Sequence, residues 1–340
     1  DKTIDFIKGI LILFVILGHT TLGLTDMYSF DDTMNGIANV IYSFHMPCFI
    51  AVSGFLYSEY VGNASQGIFS RICHKAFNIL LPYVMISVIY WIIKFALSNL
   101  IREPVAISSL ISIPWKPIEF LWYLYALFVI YCVAYMADYV FARLLPHFNY
   151  KMELLFVLFL IIALTCYGSF HYEGFNYIAG FQMYFYLGCL IKKWLDKLDN
   201  RYAVLSLAVM SVLVEASGIV LQDDMSSNPI FSSLFERFTA CIVTVFIFAV
   251  SYFLSRYCDF PKWLQTIGRD SMPFYAMNVI FVGGIRILLN RAGITNMALQ
   301  CICGFAGSTA ICWILYECII KKIRLIDFIF YPGKQLDVRK

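Results

Sequence analysis

Charged residues are scarce in this 340-residue chain: Asp, Glu, Lys and Arg make up 14% of it, whereas hydrophobic residues make up 61%. Soluble globular domains carry about a quarter charged and about half apolar residues. The composition therefore excludes a soluble protein and leaves almost no room for a soluble domain. The apolar segments run to about twenty residues, which is long enough to cross ~30 Å of hydrocarbon as a helix.

The sequence also lacks the alternating pattern of barrel strands, internal repeats, low-complexity tracts and long linkers. Since only helix bundles and closed barrels span a membrane, we expect an all-α protein, a polytopic transmembrane helix bundle, with residues 1–340 as one integral membrane domain. We read the first apolar segment as a membrane helix because it has no small-residue cleavage site of a signal peptide. About ten spans are predicted, near residues 5–25, 37–58, 77–99, 118–138, 152–168, 176–193, 203–221, 236–255, 271–290 and 297–320.

A metal-binding pattern is missing as well. The chain has eleven cysteines, but Cys301 and Cys303 do not have metal-ligand spacing and no histidine cluster accompanies them. We therefore predict no metal and read the cysteines as small buried hydrophobes. The expected partners include membrane lipids and exclude nucleic acid.

Basic residues are distributed unevenly between the two sides. With the N-terminus in the cytoplasm, nineteen Lys and Arg residues fall on the cytoplasmic side and only Arg102, Lys116 and Arg291 in the outer loops. Cytoplasmic loops of membrane proteins carry an excess of Lys and Arg. The pattern predicts that both termini are cytoplasmic, in agreement with an even number of spans.

Ionisable residues interrupt several apolar segments. Such residues are unfavourable in a membrane and usually face a cavity or a partner. His19 and His45 lie in consecutive antiparallel spans, so we expect them at similar depth in the outer half of the membrane, with Glu215 and Arg286 at about the same level.

Lys8 lies at the cytoplasmic mouth of the first helix, eleven residues before His19. Eleven residues are about three helical turns, so the two side chains share one face ~16 Å apart. The following cytoplasmic loop carries Arg71, His74 and Lys75. Such basic groups can bind a phosphorylated ligand, although the ordinary basic flank of a membrane helix explains them too.

Four stretches resemble the membrane-bound acyltransferase 3 family, and their order is kept along the chain. They run from Asp5 to His19, from Phe44-His45-Met46-Pro47 to Phe55, from Lys75 to Leu80-Leu81-Pro82-Tyr83, and from Leu121 to Leu124. Weaker similarities occur at Tyr184–Gly188 and Ile267–Tyr275. The chain departs from the family in having Lys8 where Arg is usual and Asn278 where His is frequent.

The resemblance implies a membrane O-acyltransferase that moves an acyl group, most simply acetyl from cytoplasmic acetyl-CoA, to a hydroxyl of a lipid-linked or polymeric glycan. Catalytic roles then fall to His19, as general base or transient acyl carrier, and to His45 and Glu215. Each has an alternative: a helix–helix hydrogen bond for His19, a bond to the carbonyl freed by Pro47 for His45, and pairing with a cation for Glu215.

The donor acyl-CoA is expected at Lys8, Arg71, His74 and Lys75. The substrate-binding candidates are Asp5, Ser53, Glu119, Trp122 and Tyr123. Aromatic faces at the outer mouth suit sugar rings, although an interfacial aromatic belt explains Trp122 as well. The implied location is the inner (plasma) membrane.

A transporter or flippase for a glycan or small metabolite is the competing class, because buried ionisable residues on several spans fit it equally well. Transporters are often built from internal repeats or from broken, paired helices. Neither feature is visible in the sequence, and this favours the enzyme.

Overall fold

The computed structural model describes residues 1–25, 27, 32–60, 67–96, 107–114, 117–145, 147–166, 170, 173–198, 200–221 and 228–337. Within these ranges the protein is helical and contains no strand. The all-α prediction is therefore confirmed.

Fifteen α-helices are present in the described residues, and we number them in chain order. They are α1 Lys2–Thr25, α2 Asp32–Tyr60, α3 Ile68–Lys75, α4 Leu81–Ala96, α5 Ile107–Ser112, α6 Trp122–Leu144, α7 Lys151–Cys166, α8 Glu173–Leu198, α9 Arg201–Val220, α10 Pro229–Leu254, α11 Lys262–Arg269, α12 Ser271–Arg291, α13 Met297–Leu315, α14 Arg324–Phe330 and α15 Pro332–Asp337.

Two π-helical turns extend membrane helices. Ala76–Leu80 joins α3 to α4 into one helix from Ile68 to Ala96, and Tyr316–Ile320 continues α13. The sequence predicts the third span from residue 77, so its helix begins nine residues earlier than expected. π-Turns inside helices often mark functional sites, and the first of these turns directly follows the basic residues of α3.

Eight helices in the described part of the chain are long and apolar enough to cross a membrane, which confirms a polytopic helix bundle. They include neither α7, which has 16 described residues, nor α8, whose last turns carry Lys192, Lys193 and Lys197. The number of ten spans and the cytoplasmic termini therefore stay predictions.

The chain packs into two compact units. Unit 1 comprises Asp1–Glu59 and Tyr184–Cys318, and unit 2 comprises Tyr60–Met183 and Ile319–Lys340. The expectation of a single domain over 1–340 stays a prediction.

Helix α1 is the centre of unit 1, where it packs against α10, α11, α12 and α13. Ile7, Leu11, Ile12 and Ile16 are almost fully buried, because α1 is apolar on nearly every face and such a helix is surrounded by others. The short helix α11 lies directly on the first turns of α1, where Phe6 stacks on Phe260 with ring centroids 3.7 Å apart.

Glycines bring the helices of unit 1 into backbone contact. A Cβ at Gly268 would lie 1.7 Å from the Asp5 carbonyl oxygen, and one at Gly188 would lie 1.9 Å from that of Ala51. In the same two helix contacts, Gly9 of α1 packs on the Leu264 backbone of α11, and Gly54 of α2 packs on the Phe185 backbone of α8. Small residues allow such close packing in membranes, so the glycines of the recognised stretches have a structural role.

Unit 2 contains α3, the first π-turn, α4 to α7, the first half of α8, and the C-terminal helices. Gly333 of α15 packs on the side chain of Asn78 in the π-turn, and Phe328 of α14 lies edge-on to Phe77. The C-terminal helices therefore cover the segment that follows the basic residues of α3.

Candidate active site

Tyr42 lies between the two predicted histidines in unit 1. Its hydroxyl is 3.3 Å from Nδ1 of His19, and its ring is edge-on to both imidazoles, with centroids 6.3 Å from His19 and 4.8 Å from His45. Tyr42 and His45 are three residues apart on α2 and thus share a face of that helix. The structure brings His19 and His45 to one place, as the spacing in the sequence predicts.

The protonation pattern of His45 follows from its hydrogen bond. Nδ1 lies 2.7 Å from the Ile41 carbonyl oxygen, which can only accept, so Nδ1 carries the hydrogen and donates it. In the neutral ring Nε2 is then the atom with a lone pair. Pro47 has no N–H, so it leaves the Ser43 carbonyl without its helical donor. The alternative role of His45 was to bond that carbonyl, whereas His45 bonds the carbonyl of Ile41.

Glu215 reaches the same region from α9. The Ser43 hydroxyl lies 2.9 Å from Glu215 Oε1 and 2.8 Å from the Val40 carbonyl oxygen. Because Ser43 follows Tyr42 directly, this contact ties α9 to the part of α2 that carries the cluster. Glu215 therefore acts on α2 through Ser43.

Arg237 of α10 is a buried cation at a similar level. Its guanidinium donates to the Ser233 hydroxyl and carbonyl oxygen one turn earlier. In the parallel pair α2 and α10, Cys48 lies beside Thr244, and the Phe55 ring packs against that of Phe248 with centroids 5.3 Å apart. This register places Arg237 about level with residue 41 of α2.

Arg286 of α12 lies against α1. A Cβ on Gly23 would come within 2.0 Å of Nη1 of Arg286, so the missing side chain of Gly23 leaves the space that the guanidinium fills. Gly23 follows His19 by one helical turn. His19 and Arg286 were expected at a similar level, and they lie within about one helical turn of each other along α1.

Lys8 and Asp5 lie at the opposite end of α1 from the histidines. Both are partly exposed, and α1 continues without a break from Lys2 to Thr25. The helix therefore puts Lys8 ~16 Å and Asp5 ~21 Å from His19 along its axis. The structure does not bring Asp5 to the histidines.

The C-terminal end of α11 lies at the same end of α1 as Asp5 and Lys8, because Gly268 packs on the Asp5 carbonyl oxygen. Asp270 is buried and accepts hydrogen bonds from Arg269 Nε at 3.1 Å and from the Tyr316 hydroxyl at 2.7 Å. The bond to the Asp270 carboxylate raises the pKa of Arg269 above its ordinary value. The hydrogen bond between Asp270 and Tyr316 joins the start of α12 to the π-turn after α13.

Ser53 is also distant from the cluster. Its hydroxyl donates to the Phe49 carbonyl oxygen of its own helix at 3.3 Å, and it lies eight residues, or ~12 Å, beyond His45. The structure therefore gives Ser53 a local hydrogen bond within α2 and leaves its substrate role a prediction.

In unit 2 the basic residues of α3 divide into two groups. The Lys75 ammonium lies 3.9 Å from the ring centre of Tyr131, and the Arg71 guanidinium lies 5.6 Å from that of Tyr135. His74 is exposed and interacts with Asn78 one turn later. Arg71 and Lys75 therefore share a face against α6 from which His74 is turned away.

Trp122 at the start of α6 packs against aromatic rings of α8. It stacks on Tyr177 and packs on Phe181, both with centroids 5.1 Å away. Tyr123 is buried, and Glu119 lies in the preceding 3₁₀ turn, with its side chain outside the described residues. Stacking inside unit 2 explains Trp122 and leaves part of its ring exposed.

Three residues at the level of the cluster were not among the sequence-predicted sites. Arg237 is detectable, because it interrupts the apolar run of α10. Tyr42 is one of many tyrosines, and its position three residues before His45 is a weak signal. Ser43 has no signal, because its partner Glu215 is 172 residues away.

The chain is similar to known proteins along much of its length. Residues 1–317 match the model of the acyltransferase 3 family, described as an acyltransferase domain. Among curated proteins, Nodulation protein NolL of Mesorhizobium japonicum is 31% identical over 153 residues, and Nodulation protein NolL of Sinorhizobium fredii is 37% identical over 83 residues.

These two matches are partial. They cover 44% and 24% of this chain, and they span 37% and 22% of the respective relatives. No solved structure matches the chain. The family match by contrast includes both histidines, Glu215 and the whole of unit 1 except its last residue. This protein belongs to the acyltransferase 3 family.

Proposed function

We propose that the protein transfers an acyl group, acetyl in the simplest case, from cytoplasmic acyl-CoA to a hydroxyl of a lipid-linked or polymeric glycan on the other side of the inner membrane. Its product is an O-acylated surface glycan. Membership of an acyltransferase family supports the reaction type. The donor, the acceptor and the membrane are parts of the proposal.

The observation that carries the proposal is the His19–Tyr42–His45 cluster. Acyl transfer to a hydroxyl needs a group that removes the hydroxyl proton, and imidazole suits this task because its pKa is near neutrality. His19 and His45 are both held at Tyr42, and the Nδ1–H of His45 is fixed by its bond to Ile41. Their imidazoles can therefore supply the proton acceptor.

We assign the base to His19, with its Nδ1–H donating to the Tyr42 oxygen and its Nε2 facing the reaction. As the acceptor oxygen forms a bond to the acyl carbonyl carbon, the hydroxyl proton moves to Nε2 of His19. The C–S bond of the thioester then breaks, and the leaving thiolate takes the proton from the imidazolium. The histidine ends in its starting state and no other reactant is needed.

Lys8 is the donor-side residue of unit 1 in this proposal. It lies on the predicted cytoplasmic side, on the face of α1 that leads to His19, and a lysine there offers a positive charge to a phosphate of CoA. The ~16 Å between the two residues would be covered by the extended arm that carries the thioester. Arg71, His74 and Lys75 stay predicted donor contacts of unit 2.

The experiment uses the purified full chain in lipid vesicles with [¹⁴C]acetyl-CoA. Acceptor membranes come from a strain that lacks the gene for this protein. Label that becomes covalently attached to glycan supports the acyltransferase. Movement of unlabelled glycan across the vesicle membrane without incorporation of label would instead establish the transporter and refute the proposal.

A further inference from the structure

Arg286 is a membrane-embedded cation to which the proposed reaction assigns no role. It lies in the last third of α12 and is partly buried, and its guanidinium lies against Gly23 of α1. Ionisable side chains within membrane helices are unfavourable and are usually found where a function requires them.

The position on α1 relates Arg286 to the candidate base. Gly23 follows His19 by four residues, which is ~6 Å along the axis and ~40° around it. The guanidinium thus lies about one turn beyond His19, on the side of α1 away from Lys8. A molecule that reached His19 from that end of α1 would pass Arg286 first.

Hydrogen bonds at the end of α12 hold this part of the helix in place. Asn290, one turn after Arg286, donates from Nδ2 to the sulfur of Met27 at 3.0 Å. Gln300 of α13 donates to Asn290 Oδ1 at 2.8 Å and to the Ile294 carbonyl oxygen at 2.6 Å. The guanidinium is therefore carried by a helix end that is held by Met27, two residues after the end of α1, and by α13.

We propose that Arg286 binds an anionic group of the acceptor, a phosphate or a carboxylate, and so positions the acceptor hydroxyl at His19. Guanidinium has a planar arrangement of donors that matches such groups, and its pairing with them is strengthened away from water. This inference rests on the proposed function, because it concerns the acceptor of that reaction. It restricts the acceptor to a glycan with an acidic sugar or with a phosphate-linked lipid.

The first test compares acyl-transfer kinetics of Arg286→Gln and Arg286→Lys with wild type, with acceptor membranes as the varied substrate. We expect KM for the acceptor to rise about tenfold in Arg286→Gln, with a smaller rise in Arg286→Lys and with kcat within a factor of two. Arg291→Gln is the matched control, because Arg291 lies on the same helix but is exposed. An unchanged KM in Arg286→Gln would overturn the inference.

A second variant tests the same site without removing the charge. In Gly23→Ala the new Cβ meets Nη1 of Arg286, so the guanidinium must move away from its place on α1. We expect KM for the acceptor to rise in this variant too. Gly283→Ala is its control, since a Cβ there meets nothing within 4 Å. A normal KM in Gly23→Ala would count against the position assigned to Arg286.

Two competitors distinguish the sources of the anionic group. Inorganic pyrophosphate stands for the phosphates of a lipid carrier, and glucuronate stands for an acidic sugar. Inhibition of wild type by one of them, weakened in Arg286→Gln, supports the inference and names the source. If neither competes with the acceptor, the inference is overturned.

The result also separates the inference from the proposed function. If wild type transfers no label from [¹⁴C]acetyl-CoA to any acceptor, the proposed function itself fails. If wild type transfers label and the Arg286 and Gly23 variants keep the wild-type KM, the function stands and only the role of Arg286 is wrong.

Discussion

The hydroxyl of Tyr42 lies 3.3 Å from Nδ1 of His19, on a helix whose His45 packs against the same tyrosine ring. This relationship links the two histidines through one side chain. It makes Tyr42 a positioning residue for His19 in the proposed reaction, and it leads to the first prediction.

Tyr42→Phe removes the hydroxyl and keeps the ring. A single hydrogen bond contributes about 0.5–1.5 kcal/mol, so we expect kcat to fall roughly twofold to tenfold with an unchanged KM for acetyl-CoA, measured by transfer of labelled acetyl. Tyr257→Phe is the control, because Tyr257 is exposed beyond α10. A wild-type kcat in Tyr42→Phe would remove Tyr42 from the mechanism.

Two substitutions of His45 separate its hydrogen bond from its chemistry. His45→Asn places an amide N–H near the position of Nδ1 and keeps the donor to Ile41, but it has no counterpart of Nε2. If Nε2 matters, acyl transfer falls in His45→Asn as much as in His45→Ala, whereas the thermal midpoint stays closer to wild type in His45→Asn. Full activity in His45→Asn would show that His45 serves only to bond Ile41.

Ser43 and Glu215 form a pair that a double-mutant cycle can test. We expect Ser43→Ala and Glu215→Ala each to lower kcat, and the double variant to lose less than the product of the two effects, because they remove one interaction. The control cycle uses Ser232→Ala and Glu236→Ala, a comparable hydrogen-bonded pair within α10. Independent effects of Ser43→Ala and Glu215→Ala would mean that the contact does not position α2.

Gly188→Ala tests the contact between α2 and α8. The new Cβ would lie 1.9 Å from the Ala51 carbonyl oxygen, which belongs to the backbone and cannot rotate away. Overpacking of this kind costs about 1–3 kcal/mol, so the thermal midpoint in detergent should fall by several degrees. Gly283→Ala should keep the wild-type midpoint. Equal midpoints of the two variants would show that the helices separate easily.

Lys8→Ala tests the donor end of α1. We expect KM for acetyl-CoA to rise several-fold while KM for the acceptor does not change, because the charge meets only the donor. Lys8→Arg, which restores the charge, should recover most of the donor affinity, and Lys2→Ala near the same helix end should behave as wild type. A normal KM for acetyl-CoA in Lys8→Ala would place the donor elsewhere.

The helices of the bundle follow from the sequence where apolar runs are long. Helix α1 was predicted from residue 5 and is observed from Lys2 to Thr25, and His19 and His45 meet because consecutive antiparallel spans must bring them to one level. Periodicity and charge are local properties that a single sequence displays. The shared depth of the two histidines could therefore be predicted.

Contacts between distant segments could not be predicted in this way. Helix α11 has only eight residues, and its place on α1 depends on the matching of Gly9 and Gly268 across more than 250 residues. The contact of Glu215 with Ser43, 172 residues apart, and that of Arg286 with Gly23 likewise leave no local signal in the sequence. The π-turn Ala76–Leu80 was missed for a different reason, since nothing in its composition distinguishes it from an α-helical turn.

The most direct test of the proposed reaction is the rate of acetyl transfer by His19→Ala. A positioned general base contributes about 10²–10⁴-fold to a rate, so we predict a loss of that size from [¹⁴C]acetyl-CoA to acceptor membranes, with a normal thermal midpoint. His147→Ala, which changes an exposed histidine between α6 and α7, should transfer label at the wild-type rate. Transfer by His19→Ala within a factor of a few of wild type would contradict the assignment of His19 as the base.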